Sequence, residues 1–284
     1  MNVLGTITLS ANGQAFVSQN GTIVVGLFQD TGNLVEIYDA SLVLNATIPA
    51  TGVLPVAFGT DPFLMTIAMI DVNGKLSVFD LNNQTLLWTI DLPDFVQPVA
   101  LTIDASGTVG VAYGGTLKQV VNGVITYTSA SFMGDPLNIQ ICGMNWFVAT
   151  TTGITYYTPP FVPVAGTITL PLSGLIGIQC KRKKIYIYAP GITTLNIIHF
   201  KCNHMKLKRT ITFSTPNIIS SGKYLLALTG SLVVGLYRMK CKQLIPLSLN
   251  SVGSVDNPSS LDTACRLVVT TSGTTLTLLQ RYYH

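Results

Sequence analysis

Three residues that lie close together in the sequence have the side chains of metal ligands: His199, Cys202 and His204. A His, a Cys and a second His within such a short segment could contribute to a zinc site, which needs four ligands and supporting hydrogen bonds. No fourth ligand is evident nearby, and the segment is rich in lysine, which disfavours a bound cation. The sequence therefore predicts no metal and no cofactor, and these three residues are weak candidates.

Four aspartates, Asp30, Asp71, Asp94 and Asp135, fall at predicted turns or at predicted connections between strands. Grouped carboxylates could bind calcium or handle sugars, as in a lyase or hydrolase. Asp also caps turns, which accounts for the same positions without catalysis. The sequence has no Gly-rich phosphate loop that opens a helix and no GxSxG motif, so we expect a chain that is not an enzyme.

Charge is divided unevenly along the chain. Residues 1–136 include ten acidic and two basic residues, whereas residues 137–284 include fourteen basic and two acidic residues, and the formal net charge is only +4. Many of the basic residues fall at predicted turns on one face. The predicted interaction residues are Lys181, Arg182, Lys183, Lys184, Lys201, Lys206, Lys208, Arg209, Lys240 and Lys242. Such a basic face could bind nucleic acid, an acidic partner protein or the acidic half of another copy, or it could simply be solvated.

The elements that would position these residues follow from a repeat. The segments GTITLS, GTITLP and RTITFS begin at Gly5, Gly166 and Arg209, and related segments recur at spacings of roughly 36 to 43 residues, the period of a propeller blade. Their central residues are Ile7, Ile48, Ile90, Tyr127, Ile168, Ile211 and Leu247. Between consecutive segments lie three further strand-like runs joined by tight turns, and no useful window has a helical period. The sequence therefore predicts an all-β chain of four-stranded units.

Two stretches, VEIYDASLVLNATIPATGVLPVAF and LSVFDLNNQTLLWTIDLPDFVQPVALTIDASGTVGVAY, resemble YVTN, WD and quinoprotein-like propeller repeats. The resemblance is strongest in residues 3–127, and it implies a β-propeller but no particular activity. We expect one domain, residues 1–284, folded as a seven-bladed propeller. The blades are predicted at residues 10–49, 50–93, 94–132, 133–171, 172–214, 215–250 and 251–284, with the N-terminal strand 3–9 completing the last blade and closing the ring.

These observations predict a non-catalytic protein–protein interaction or structural module. The low charged fraction of 10% would suit a packed assembly, such as a virion or surface component. Nucleic-acid or acidic-partner binding through the basic face, and a lyase or hydrolase that uses the four aspartates at the channel mouth, remain open alternatives. No apolar run approaches the length of a membrane span and no signal peptide is evident, so we expect a cytoplasmic or virion location. Five widely spaced cysteines predict free thiols, not a disulfide framework.

Overall fold

The computed structural model describes residues 2–18, 20–142, 145–158, 162–169, 177–181, 184–188, 194–201, 204–212, 218–221, 224–229, 233–240, 243–251, 260–264 and 267–280. The elements in these ranges are β-strands, which confirms the all-β prediction. None of the described segments forms a helix of the length and apolarity that crossing a bilayer requires.

The described strands form seven four-stranded antiparallel sheets, numbered here in chain order. Sheet 1 consists of β2 (Gly13–Val17), β3 (Ile23–Leu27), β4 (Asn33–Tyr38) and β5 (Leu44–Pro49). Sheet 2 consists of β6 (Pro55–Thr60), β7 (Thr66–Asp71), β8 (Lys75–Asp80) and β9 (Thr85–Asp91). Sheet 3 consists of β10 (Ala100–Ile103), β11 (Val109–Tyr113), β12 (Thr116–Val121) and β13 (Val124–Thr128). Sheet 4 consists of β14 (Pro136–Cys142), β15 (Asn145–Thr150), β16 (Gly153–Thr158) and β17 (Val162–Thr169).

The remaining sheets contain the basic half of the sequence and the N-terminal strand. Sheet 5 consists of β18 (Gly177–Lys181), β19 (Lys184–Tyr188), β20 (Thr194–Lys201) and β21 (His204–Thr212). Sheet 6 consists of β22 (Ile218–Ser221), β23 (Tyr224–Thr229), β24 (Val233–Lys240) and β25 (Gln243–Ser251). Sheet 7 consists of β26 (Ser260–Ala264), β27 (Leu267–Ser272), β28 (Thr275–Gln280) and β1 (Asn2–Thr8).

The N-terminal strand β1 is the outer strand of sheet 7. It pairs antiparallel with β28, in a register that runs from Asn2 opposite Gln280 to Thr8 opposite Thr275. Leu9 follows this strand and is buried in the apolar cluster that sheet 7 shares with sheet 1. Pairing of the first strand with the last is the arrangement that gives sheet 7 four strands.

Apolar side chains fill the spaces between neighbouring sheets. Separate clusters join sheet 1 to sheet 2, sheet 2 to sheet 3, sheet 3 to sheet 4, and sheet 7 to sheet 1. The inner strands supply most of these residues: all five residues of β3 and of β11 are buried. Burial on both faces of a strand explains why these segments read as continuous apolar runs in the sequence.

Two of the contacts between sheets depend on a glycine that faces an aromatic ring. Gly26 of β3 lies against the ring of Phe58, and Gly110 of β11 lies against the indole of Trp146. A Cβ added at Gly26 would lie 2.5–2.7 Å from three ring carbons, and one added at Gly110 would lie 2.7 Å from Cε3 and closer still to Cζ3. Only a residue without a Cβ permits this approach, so each ring fixes how far apart two adjacent sheets can lie.

Candidate functional site

The order of the strands defines two faces of the molecule. Within each antiparallel sheet the turns between the first and second strands and between the third and fourth strands lie at one end, which we call the odd-turn face. The second turns and the connections between sheets lie at the other end, which we call the connection face.

The described basic residues of the predicted set lie in sheets 5 and 6, most of them at or near odd turns. Lys181 ends β18, Lys184 begins β19, Lys201 ends β20 and Lys240 ends β24, while β21 contains Lys206, Lys208 and Arg209. The side chains of Lys206 and Lys208 are exposed, as is that of Leu207 between them. Arg182, Lys183 and Lys242 lie outside the described residues. The structure therefore places exposed Lys206, and the backbone of four more residues of the predicted set, at or near odd turns of two adjacent sheets, whereas exposed Lys208 and the backbone of Arg209 lie in the middle of β21.

The weak metal candidates lie at the third turn of sheet 5. Half-buried His199 is opposite Lys206 in the register of β20 and β21, and His204 is opposite Lys201. Cys202 lies outside the described residues. Among the described side chains, no group of three or more His, Cys, Asp and Glu is placed to hold a metal ion.

The four aspartates proposed for a channel mouth do not form such a group either. The buried carboxylate of Asp71 turns back on its own hairpin, where its Oδ1 accepts hydrogen bonds from the backbone N–H groups of Asn73 (2.8 Å) and Lys75 (3.0 Å). Asp135 is positioned through its backbone, whose N–H donates to Oγ1 of Thr151 (3.0 Å). The turn-capping interpretation therefore holds for Asp71.

Capping aspartates recur on the odd-turn face of sheets 1 to 3. The most extensively bonded is buried Asp61, which accepts hydrogen bonds from the N–H groups of Phe63 (2.8 Å) and Met65 (2.8 Å) and from the N–H (2.5 Å) and hydroxyl (2.9 Å) of Thr66. Asp104 bonds the N–H groups of Ser106 and Thr108 at 2.8 and 2.9 Å. Each carboxylate satisfies backbone donors that a tight turn leaves unpaired.

Asp39, which follows β4, and Asp80, which ends β8, have the same role at third turns. Asp39 accepts from the N–H groups of Ser41 and Val43. Asp80 accepts from the N–H of Asn82 and from both the N–H and the side-chain amide of Asn83. Hydrogen bonds from the backbone and then the side chain of Asn83 lower the pKa of Asp80. The acidic charge of the N-terminal half is thus concentrated partly at odd turns.

Exposed apolar side chains accompany these aspartates on the same face. Phe63, in the turn capped by Asp61, is 65% exposed, and Met65 next to it is also exposed. The other members of this group lie at third turns and at the adjoining outer strands: Val43, Leu44, Leu86, Leu87 and Val124. We call Val43, Leu44, Phe63, Met65, Leu86 and Leu87, with Asp39, Asp61 and Asp80, the acidic–apolar sector. Sequence reasoning missed it because Phe63 and Met65 lie just before the apolar strand β7, and nothing in the local pattern separates the exposed turn from the buried strand.

Among the described residues, the connection face has fewer exposed apolar groups, which are distributed over three connections between sheets and, for Val72, the second turn of sheet 2. They are Leu54, Val72, Val96 and Met133, and Met133 is 77% exposed. Tyr113 lies at this end of β11, where its hydroxyl donates to the carbonyl of Pro93 (2.8 Å). Burial, and to a lesser degree the negative charge of Asp94, raise the pKa of Tyr113 to about 12. This tyrosine therefore acts as a structural donor, not as an acid or base near neutral pH.

Glu36, the only glutamate in the chain, is buried within sheet 1. Its Oε2 accepts a hydrogen bond from the hydroxyl of Tyr38 (2.6 Å), and its Oε1 accepts one from the side-chain amide of Asn33 (3.1 Å). Burial, with the hydrogen bond to Glu36 and its charge as smaller contributions, raises the pKa of Tyr38. The carboxylate thus has two donors and serves the packing of sheet 1.

Comparison with known proteins establishes the fold. No family model matches this sequence, and no curated protein matches it. Among solved structures, the chain is similar to one in the crystal structure of the Mitotic Checkpoint Complex, with a TM-score of 0.79, 11% identity, and coverage of 99% of this chain and 92% of that chain. It is also similar to the β-propeller domain of Myceliophteria thermophila Cps50 (Swd1), with a TM-score of 0.77, 11% identity and 99% coverage of both chains. The chain is a β-propeller repeat protein.

Proposed function

We propose that this chain is a non-catalytic interaction module whose seven sheets are the blades of one closed ring spanning residues 1–284, with the blade divisions given above. Pairing of β1 with β28 and the apolar cluster shared by sheets 7 and 1 support the closure. The chains named above come from a checkpoint complex and a propeller domain, which is compatible with a role in binding other proteins. Repeated contacts between such modules would suit a structural component of a virion or surface assembly.

Ring closure can be tested with a disulfide between β1 and β28. Thr6 and Thr277 are register partners whose Oγ1 atoms are 3.5 Å apart. The double variant Thr6→Cys/Thr277→Cys should therefore form a disulfide, detected by peptide mapping, that raises Tm. The matched control Thr6→Cys/Thr275→Cys places the cysteines out of register and should not crosslink. Equal crosslinking in both variants, or none in either, would contradict the closure.

The acidic–apolar sector is the observation that carries the interaction proposal. Its exposed apolar side chains lie at consecutive odd turns of sheets 1 and 2 and in the adjoining outer strands β5 and β9, where they contribute little to the packing between sheets. A group of exposed apolar side chains surrounded by polar residues is typical of a protein-binding surface, whereas single exposed apolar side chains occur on most protein surfaces. The aspartates keep the turns rigid, so the apolar groups are presented in a fixed arrangement before a partner binds.

Affinity capture from the native source tests which face binds. The variant Phe63→Ser/Leu87→Ser removes apolar surface from the acidic–apolar sector, and the control Val96→Ser/Met133→Ser removes it from the connection face. The first variant should lose the proteins that the unmodified chain retains, at an unchanged Tm, and the second should keep them. Retention of the same proteins by the first variant, or their loss from the control alone, would refute this assignment.

A second function is favoured by the exposed lysines of sheet 5. Lys206 and Lys208 could contact the phosphates of a nucleic acid or the carboxylates of an acidic protein. If the partner is a nucleic acid, Lys206→Ala/Lys208→Ala should weaken binding of a single-stranded oligonucleotide and reduce the salt slope by about one for each lost phosphate contact. An unchanged slope in fluorescence anisotropy would exclude these two lysines as phosphate contacts.

A further inference from the structure

The odd-turn face has opposite charges in different sectors. The capping aspartates of sheets 1 to 3, which form the acidic sector, lie at odd turns. In the basic sector on sheet 5, exposed Lys206 lies close to the third turn and exposed Lys208 lies at the middle of β21. If the ring is closed, sheets 2 and 5 are three positions apart among seven, which places the acidic and basic sectors nearly opposite each other on one face. A face with this distribution is complementary in charge to a second face of the same kind.

We infer that the odd-turn face binds a second copy of this chain in a symmetric, face-to-face dimer. The two-fold axis lies in the plane between the two facing surfaces and is perpendicular to the line from the acidic sector to the basic sector. Rotation about this axis gives the second copy the opposite order of sectors along that line. Each acidic sector then faces the basic sector of the other copy, and the same contact forms twice, as an isologous interface requires. This inference rests on the proposed function and names the partner.

The apolar groups of the two sectors also fit this arrangement. Phe63 and Met65 project from the acidic sector, and Leu207 is exposed between Lys206 and Lys208 in the basic sector. Apolar contacts would thus lie among the charge pairs in both halves of the interface. A stable interface takes about 800 Å² from each partner, a small part of the 12747 Å² of accessible surface on this chain.

Charge distribution favours a second copy over a nucleic acid as the occupant of this face. A nucleic acid is uniformly negative, so binding across the whole face would place phosphates beside the carboxylates of Asp39, Asp80 and Asp104. Those carboxylates cap turns and cannot be withdrawn without breaking their hydrogen bonds. A copy of the same chain presents lysines to the aspartates and aspartates to the lysines.

Complementary charge reversal tests the dimer. One variant, Lys206→Glu/Lys208→Glu, replaces the two exposed cations of the basic sector with carboxylates, which would face the aspartates of the other copy. The other, Ser41→Lys/Asn82→Lys, adds lysines at exposed positions beside Asp39 and Asp80, where only the backbone N–H groups serve the caps, and so places cations opposite Lys206 and Lys208 of the other copy. Sedimentation equilibrium should show a dimer for the unmodified chain that weakens as salt increases, and dimerisation of each variant alone at least about tenfold weaker.

An equimolar mixture of the two variants gives the decisive result. In the mixed dimer one of the two contacts between sectors is unchanged, and the other pairs the introduced glutamates with the introduced lysines. Dimerisation should therefore recover, and its recovery also shows that both variants are folded. An unmodified chain that stays monomeric, variants that dimerise as well as it does, or a mixture that fails to recover would each overturn the inference. A monomer that binds a single-stranded oligonucleotide through Lys206 and Lys208 would identify the other occupant. Loss of captured proteins from Phe63→Ser/Leu87→Ser in a monomeric chain would leave the proposed function standing with a different partner.

Discussion

The contact between Gly110 and Trp146 gives the sharpest test of how the sheets pack. In Gly110→Ala, the new Cβ would lie 2.7 Å from Cε3 of the indole and closer to Cζ3, whereas carbon atoms in contact are about 3.5 Å apart or more, so sheets 3 and 4 must separate by about 1 Å. Trp146 is buried with Val148 and Tyr157 and cannot turn toward solvent. The strain should cost about 2–3 kcal/mol, of which the higher strand propensity of Ala recovers about 0.5.

The net cost of about 1.5–2.5 kcal/mol should lower the Tm of Gly110→Ala by roughly 3–5 °C, measured by calorimetry or circular dichroism, because a chain of this size loses about 2 °C per kcal/mol. The companion variant Trp146→Leu removes the ring and is itself destabilising. In the double variant the Cβ has room. The loss of unfolding free energy in the double variant should therefore be smaller than the sum of the losses in the two single variants, by at least about 1 kcal/mol. Additive effects, or a Gly110→Ala variant as stable as the parent, would refute the account of this contact.

Three further predictions concern polar groups. Asp61→Ala should lower the free energy of unfolding by about 3 kcal/mol because it leaves several turn donors unpaired, and urea denaturation should show Asp61→Asn to be milder. Asn83 lowers the folded-state pKa of Asp80, so this carboxylate contributes stability above its unfolded pKa, and that stability is lost as the pH falls through the lower folded value. The difference in unfolding free energy between the parent and Asp80→Asn should therefore shrink on acidification. A difference that stays constant with pH would contradict this. Tyr38→Phe should cost about 1–3 kcal/mol because Glu36 loses a buried donor, and Glu36→Gln in that background should restore part of it in the same denaturation assay.

Much of the fold could be predicted because turns and strands have local signatures. The anchor residues, from Ile7 in β1 to Leu247 in β25, lie in outer strands of the sheets, and Asp39 and Asp80 cap the third turns of sheets 1 and 2, a common role of Asp in tight turns. Periodicity and turn residues report short-range structure, and the propeller follows from their regular repetition.

The candidate site was less predictable because it depends on contacts distant in sequence. Nothing near Gly110 indicates that Trp146 packs on it, and nothing near Glu36 shows whether its carboxylate is buried or exposed. Likewise, Phe63 reads as the start of a buried strand until the turn capped by Asp61 is seen to place it in solvent. The pattern of apolar residues in the sequence shows which side chains of a strand are buried. It does not show which turn residues remain exposed after the sheets pack together.

The capping role of the aspartates has a consequence for how this surface could change in evolution. Replacing Asp61 or Asp104 with an uncharged, non-capping residue would destabilise a hairpin. The aspartates of the acidic sector are therefore needed for folding, and these positions should tolerate few substitutions. Lys206 and Lys208 project from an outer strand, where charge can be gained, lost or reversed at little cost to stability. Selection for new partners would therefore act mainly on the lysines, while the acidic sector stays constant as a by-product of forming tight turns.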